Sequence, residues 1–137
     1  MRIDELRGVS CKSVAAVEYD EPGKDPIYAV GTAIAFSDGT RLSAQFWRLL
    51  KDRKPVISIF DHRQKYGLPA PVDAIQTLNA ELAGKVIASA EMLSTGDLRF
   101  HFERDVELEV FNFTAFEIWE LAFPDGATEL SNYALER

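Results

Sequence analysis

The sequence predicts an α+β domain: a mainly antiparallel meander sheet of about six to eight strands, either curled or divided into two pseudo-repeated halves, with one main helix packed on one face. Three observations predict it. Residues 97–110, DLRFHFERDVELEV, alternate apolar and polar side chains on both sides of a short polar turn, the pattern of an antiparallel hairpin with one apolar and one charged face. Residues 71–85, PVDAIQTLNAELAGK, instead place Val72, Ile75, Leu78 and Leu82 three and four residues apart, the period of one helix face. The later connections, at 94–97, 103–105 and 124–126, are short enough to lay successive strands side by side.

The elements follow in order. A strand-like run at 13–19 precedes Glu21-Pro22-Gly23-Lys24-Asp25-Pro26, which has loop composition. Residues 28–47, YAVGTAIAFSDGTRLSAQFW, read as a second hairpin around Ser37-Asp38-Gly39, a type I turn followed by glycine where φ must be positive. Its first strand sets Val30, Thr32, Ile34 and Phe36 on one face and Ala29, Gly31, Ala33 and Ala35 on the other. Neither face is charged, so this strand is expected to be central, with a helix covering the small residues.

Between Arg48 and Lys65 stand six basic residues and two acidic ones, a local +4 within a chain of net charge −7. That segment reads as a solvated connection; an anion contact is its functional alternative. The helix is placed at 72–83, because Pro71 costs no hydrogen bond in a first turn, Asp73 suits the positive N-terminus and Gly84 suits a left-handed stop. Strands then follow at 86–92, 98–102, 106–111, 116–123 and 128–133. Pro124-Asp125-Gly126 repeats the turn chemistry of Ser37-Asp38-Gly39, with proline holding the first loop φ.

The chain reads as a single domain, 1–137, with an internal pseudo-repeat. Glu5-Leu6-Arg7-Gly8 matches Glu81-Leu82-Ala83-Gly84, each precedes a strand-like run, and Phe36 and Leu42 bracket the first hairpin turn as Phe102 and Leu108 bracket the second. The repeat is placed at 5–47 and 81–111, with a terminal hairpin at 116–134.

Composition narrows the function. An excess of 22 acidic over 15 basic residues disfavours nucleic acid and anionic membranes and suits a protein partner with a basic surface. Cys11 is the single cysteine, so no internal disulfide forms and a reducing cytoplasm is the expected compartment. His62 and His101 are too few for a zinc site, and no phosphate loop, GxGxxG, HExxH, GxSxG or paired CxxC occurs, so no metal, cofactor or catalytic residue is assigned.

Five residues are candidates for a partner or ligand surface: Asp61, His62, Trp47, Trp119 and Glu120. Asp61-His62 resembles a base with its orienting carboxylate. Neighbours on a strand point to opposite faces, however, and the plain reading is a polar strand end after VISIF. His101 alternates outward with Arg99 and Glu103 and reads as a solvated cross-strand partner. The aromatic run Phe111, Phe113, Phe116, Trp119 and Phe123, with Trp47 and Tyr133, is mostly what a sheet and one helix need to close a core. An exposed Trp47 or Trp119 would instead mark a partner surface.

The ELxG turn before a strand, the hairpin LRFHFERDVELEVF and the tail FEIWELAFPDG together resemble a set of small uncharacterised bacterial α+β proteins, some of them immunity-like proteins that accompany polymorphic toxins. The resemblance spans residues 78–133 and is carried by Trp119-Glu120-Leu121 leading into Pro124-Asp125-Gly126. It implies an architecture and a protein-binding role and transfers no catalytic residue.

The leading expectation is therefore a non-catalytic protein-binding module, immunity-like and not an enzyme. The alternative is a small-ligand-binding protein or enzyme with a cleft between sheet and helix, using Asp61, His62 or a glutamate. A homodimeric scaffold joined through a sheet edge or the aromatic face is the third.

Overall fold

A computed structural model describes residues 2–18, 30–113 and 118–131. Among these residues the strands are β1 (Cys11–Glu18), β2 (Val30–Phe36), β3 (Arg41–Ala44), β4 (Trp47–Lys51), β5 (Lys54–Ser58), β6 (Ile87–Met92), β7 (Leu98–Phe102), β8 (Val106–Val110), β9 (Trp119–Ala122) and β10 (Thr128–Leu130). The helix α1 is Ala74–Leu82, and 3-10 turns occupy Arg2–Leu6 and Ile59–Asp61. The expected strand residues 19, 28, 29, 116, 117, 132 and 133 and the expected loop 21–26 lie outside the described residues.

The expected single meander is replaced by two five-stranded antiparallel sheets, ordered β1-β2-β3-β9-β10 and β5-β4-β8-β7-β6. The cause is the basic segment from Arg48, which is more than a solvated connection: its basic side chains are largely exposed, but its backbone supplies two strands. Trp47, Leu49 and Leu50 are buried there, so the chain forms β4 instead of a loop. Asp52 and Arg53 then turn it at φ 51° and 66°, the two positive values of a tight hairpin loop, into β5. β4 pairs with β8, not with β3, so the chain crosses from one sheet to the other between Ala44 and Trp47.

The same crossing recurs later, where β9 leaves β8 and pairs with β3. Each sheet thus holds three successive strands from one half of the chain and a hairpin from the other. The hydrogen bonds are reciprocal. Gly8 N–H donates to Ile87 O and Gly84 N–H to Cys11 O, both at 2.8 Å, while Ile87 N–H donates to Val9 O and Cys11 N–H to Lys85 O at 2.8 and 2.9 Å. At the crossings Gln45 N–H donates to Ile118 O at 3.1 Å and Phe111 N–H to Phe46 O at 2.9 Å. Both first strands carry the same register shift, between Cys11 and Ser13 in β1 and between Ile87 and Ser89 in β6.

The core lies between the two inner faces, where Phe36 of one sheet stacks with Phe100 of the other at 6.0 Å. Helix α1 buries Ala74, Ile75, Leu78 and Leu82 into that core beside β1 and β5. A side chain such as Leu78, fully buried, contributes about 2 kcal/mol relative to exposure. The helix therefore closes one side of the sandwich and does not cover the small-residue face of β2 as expected. Ala33 and Ala35 remain half-buried on the outer face, because each sheet buries only the face turned to its partner.

Gly39 and Gly126, at φ 97° and 90°, take the left-handed conformation their turns demand. Pairing of β3 with β9 sets these turns side by side: a Cβ on Gly39 would lie 3.6 Å from Pro124 Cγ.

Candidate binding groove

Among the described residues β1 is the outer strand of its sheet and has β2 as its one strand neighbour, so beyond Cys11, whose backbone bonds to Gly84 and Lys85, its other edge faces away from the ladder. Antiparallel pairing turns the backbone groups of alternate residues outward. Val14, Ala16 and Glu18 carry the outward groups, as Val14 shows: its N–H donates to the Asn79 side-chain Oδ1 at 2.8 Å. The bond from Gly84 N–H to Cys11 O pins the end of α1 to the start of β1. From there toward Glu18 an open groove of about 600 Å³ lies between strand and helix, lined by Ala16, Glu18, His62, Val72, Asp73 and Ile75 among others.

The start of the helix builds the far wall. Asp73 is the N-cap, its Oδ1 accepting from Gln76 N–H at 2.9 Å, and Ala74 N–H donates to His62 Nδ1 at 3.1 Å. An imidazole that accepts on Nδ1 carries its proton on Nε2 and is neutral. Burial, with the side chain only 12% exposed, pushes the His62 pKa below its usual value; Asp73, 3.8 Å away, opposes this, Arg63 adds to it and Glu18 opposes it.

Residues 63–72 fold back on themselves. Arg63 N–H donates to Val72 O and Val72 N–H to Gln64 O, both at 2.8 Å. This loop carries Arg63 at φ 68° and Tyr66 at φ 46°, both in the left-handed region that such side chains rarely occupy. Arg63 forms an ion pair with Glu18 across the groove mouth. Tyr66 and Leu68 stand 67% and 52% exposed on the loop.

The sequence candidates fall in different places. His62 lines the groove with Asp73, 3.8 Å away, as its nearest carboxylate instead of Asp61. Asp61 closes the 3-10 turn: its carboxylate accepts from Ser58 N–H at 2.9 Å and from Tyr66 OH at 2.8 Å. The expected strand end is that turn. Trp47 and Trp119, 1% and 2% exposed, offer no surface; their Nε1 groups donate to Thr32 Oγ1 at 2.9 Å and Gly96 O at 2.8 Å. Glu120 is exposed on β9 opposite Ser43, away from the groove.

Asn79 and Glu18 were no candidates from sequence; Asp73 was read only as the acid at the helix N-terminus and Arg63 only as part of the basic segment beside His62. Asn79 left a signal, a polar residue on the apolar stripe between Ile75 and Leu82.

The groove holds a neutral histidine whose Nδ1 is engaged, a carboxylate engaged as a cap, and an exposed ion pair. This arrangement can accept and donate hydrogen bonds and cover apolar groups. Among the described residues no three His, Cys, Asp or Glu side chains gather as a metal site. A second concavity, on the outer face of the other sheet, is charged but self-paired. There Arg48 meets Glu109 at 3.2 Å and His101 meets Glu107 at 3.1 Å, the cross-strand partner directly opposite it.

Among the described residues the fold and groove define a two-sheet α+β domain with an open strand edge beside a helix. No protein-family model, curated protein or solved structure matches the chain.

Proposed function

We propose that this chain is a non-catalytic protein-binding module that takes up an extended segment of a partner protein along the β1 edge, between the strand and α1. The observation that carries this reading is the Asn79 carbonyl on Val14 N–H. A side-chain amide there occupies the place of a neighbouring strand's carbonyl. The next outward backbone groups, at Ala16 and Glu18, lie along the open part of the groove, where an added strand satisfies them. Apolar Tyr66 and Leu68 on the adjoining loop supply contact area of the kind partners bury. A net charge of −7 favours a partner with a basic surface, and an immunity-like role is one form of such binding.

The test is site-specific photocrosslinking in the protein's own cells, with benzoylphenylalanine at position 16 and, as control, at position 43 on the outer face of the same sheet. A heterologous protein adduct at 16 and none at 43 supports the reading. No protein adduct at 16 overturns it, and adducts only between copies of the chain replace it with a homodimer.

A further inference from the structure

Resting on the strand-addition reading above, we infer that the incoming segment carries an apolar residue and, two positions from it on the same face, arginine or lysine, and that Arg63 holds the place of that basic group until the segment arrives. Side chains on one face of a strand recur every second residue, about 7 Å apart. Val14, Ala16 and Glu18 share such a face. Val14 is in the core, Ala16 presents only a methyl group, and Glu18 presents a carboxylate. Opposite Ala16 the small side chain leaves room over Val72 and Ile75, which an apolar side chain of the added strand fills.

Two positions along, the same face of the added strand meets Glu18. That carboxylate is already paired with a guanidinium, supplied by Arg63 from a backbone at φ 68°. The pair is weakly held, since its side chains are 51% and 67% exposed. Asp73 brings a second carboxylate to the groove while His62 stays neutral, so two negative groups face one positive one. A basic residue on the added strand restores the balance, and an acidic one opposes it.

The experiment selects from a phage-displayed random heptapeptide library on the full chain and follows the winners by amide NMR. Expected are peptides with an apolar and a basic residue two positions apart, basic-x-apolar for antiparallel addition and apolar-x-basic for parallel, that shift the Ala16 and Glu18 amides. Arg63→Ala should bind them about two- to fivefold more tightly and Glu18→Gln about two- to fivefold more weakly, the range of an exposed ion pair. Glu18→Lys should turn the selection toward acidic residues at the same position. Circular dichroism identical to the parent confirms that these surface variants fold. Peptides that shift Ala16 and Glu18 without a basic preference, or that bind Glu18→Gln unchanged, overturn this inference and leave the groove reading standing. If no selected peptide moves those amides, both fall.

Discussion

Ser10 and Val86 face each other as an antiparallel bridge just before β1 and β6, the edge strands of the two sheets. The bonds around them are returned in kind: Ser10 N–H donates to Ser37 Oγ at 3.1 Å, and Val86 N–H to Glu103 Oε1 at 3.2 Å. Ser37 N–H donates to Ser10 O at 2.8 Å and Glu103 N–H to Val86 O at 3.1 Å. This bridge joins the sheets through backbone and not only through side-chain packing.

Gly8 and Gly84 enter the bridge from either side at φ 86° and 80°, with open space where a Cβ would stand. Gly8→Ala and Gly84→Ala therefore meet a backbone penalty without a clash, about 1 to 2 kcal/mol each. Urea unfolding should give similar losses for the two variants. A loss confined to one of them would show that the bridge is not energetically reciprocal.

Trp47 and Trp119 stand at equivalent points, each on the strand that crosses to the other half's sheet, and each donates its Nε1–H to a buried acceptor. Trp47→Phe and Trp119→Phe keep an aromatic ring but leave Thr32 Oγ1 or Gly96 O without its donor, costing about 1 to 3 kcal/mol. In the parent, acrylamide should quench tryptophan fluorescence weakly until the protein unfolds. Strong quenching of the folded protein would place an indole at the surface and undo this assignment.

The β7–β8 hairpin and α1 were legible because their periods are complete: Leu98, Phe100 and Phe102 on one face, Ile75, Leu78 and Leu82 on one stripe. The division into two sheets was not legible. Alternation tells a strand which face is buried but not which strand lies beside it, and after Ala44 the chain could have extended β3 or crossed. Leu49 and Leu50, both buried beside a register shift, also broke the alternation of β4, and the surrounding lysines and arginines gave it the composition of a loop. Of the groove, only His62 was nameable in advance. Asp73 comes to stand beside it because residues 63–72 double back, a reversal set by backbone bonds that leave no side-chain pattern.

Cys11 is buried at the start of β1, and desolvation pushes its thiol pKa up to about 11. At pH 8 almost no thiolate forms, and Ellman's reagent has no path to the sulfur. Labelling of the folded protein should be slow and limited by opening of the bridge region, then complete within seconds in denaturant. Fast stoichiometric labelling of the native protein would contradict this burial.

His62 sets the expected pH dependence. Its pKa in the folded protein lies below the ordinary 6.5, chiefly through burial, and protonation also removes the Nδ1 acceptor that Ala74 N–H uses at the first turn of α1. Below pH 6.5 the unfolded chain takes up the proton before the folded one does. The contribution from neutral His62 is therefore complete above pH 6.5 and falls as pH drops through that value, levelling off only below the folded pKa. His62→Asn places an amide oxygen where Nδ1 stood and removes the titration. Melting temperatures between pH 7.5 and 5 should fall less steeply for His62→Asn than for the parent, while the imidazole resonances of His62 titrate below those of an unfolded control peptide. An equal slope for parent and variant, or a His62 titration above the control, would remove the imidazole from the helix start.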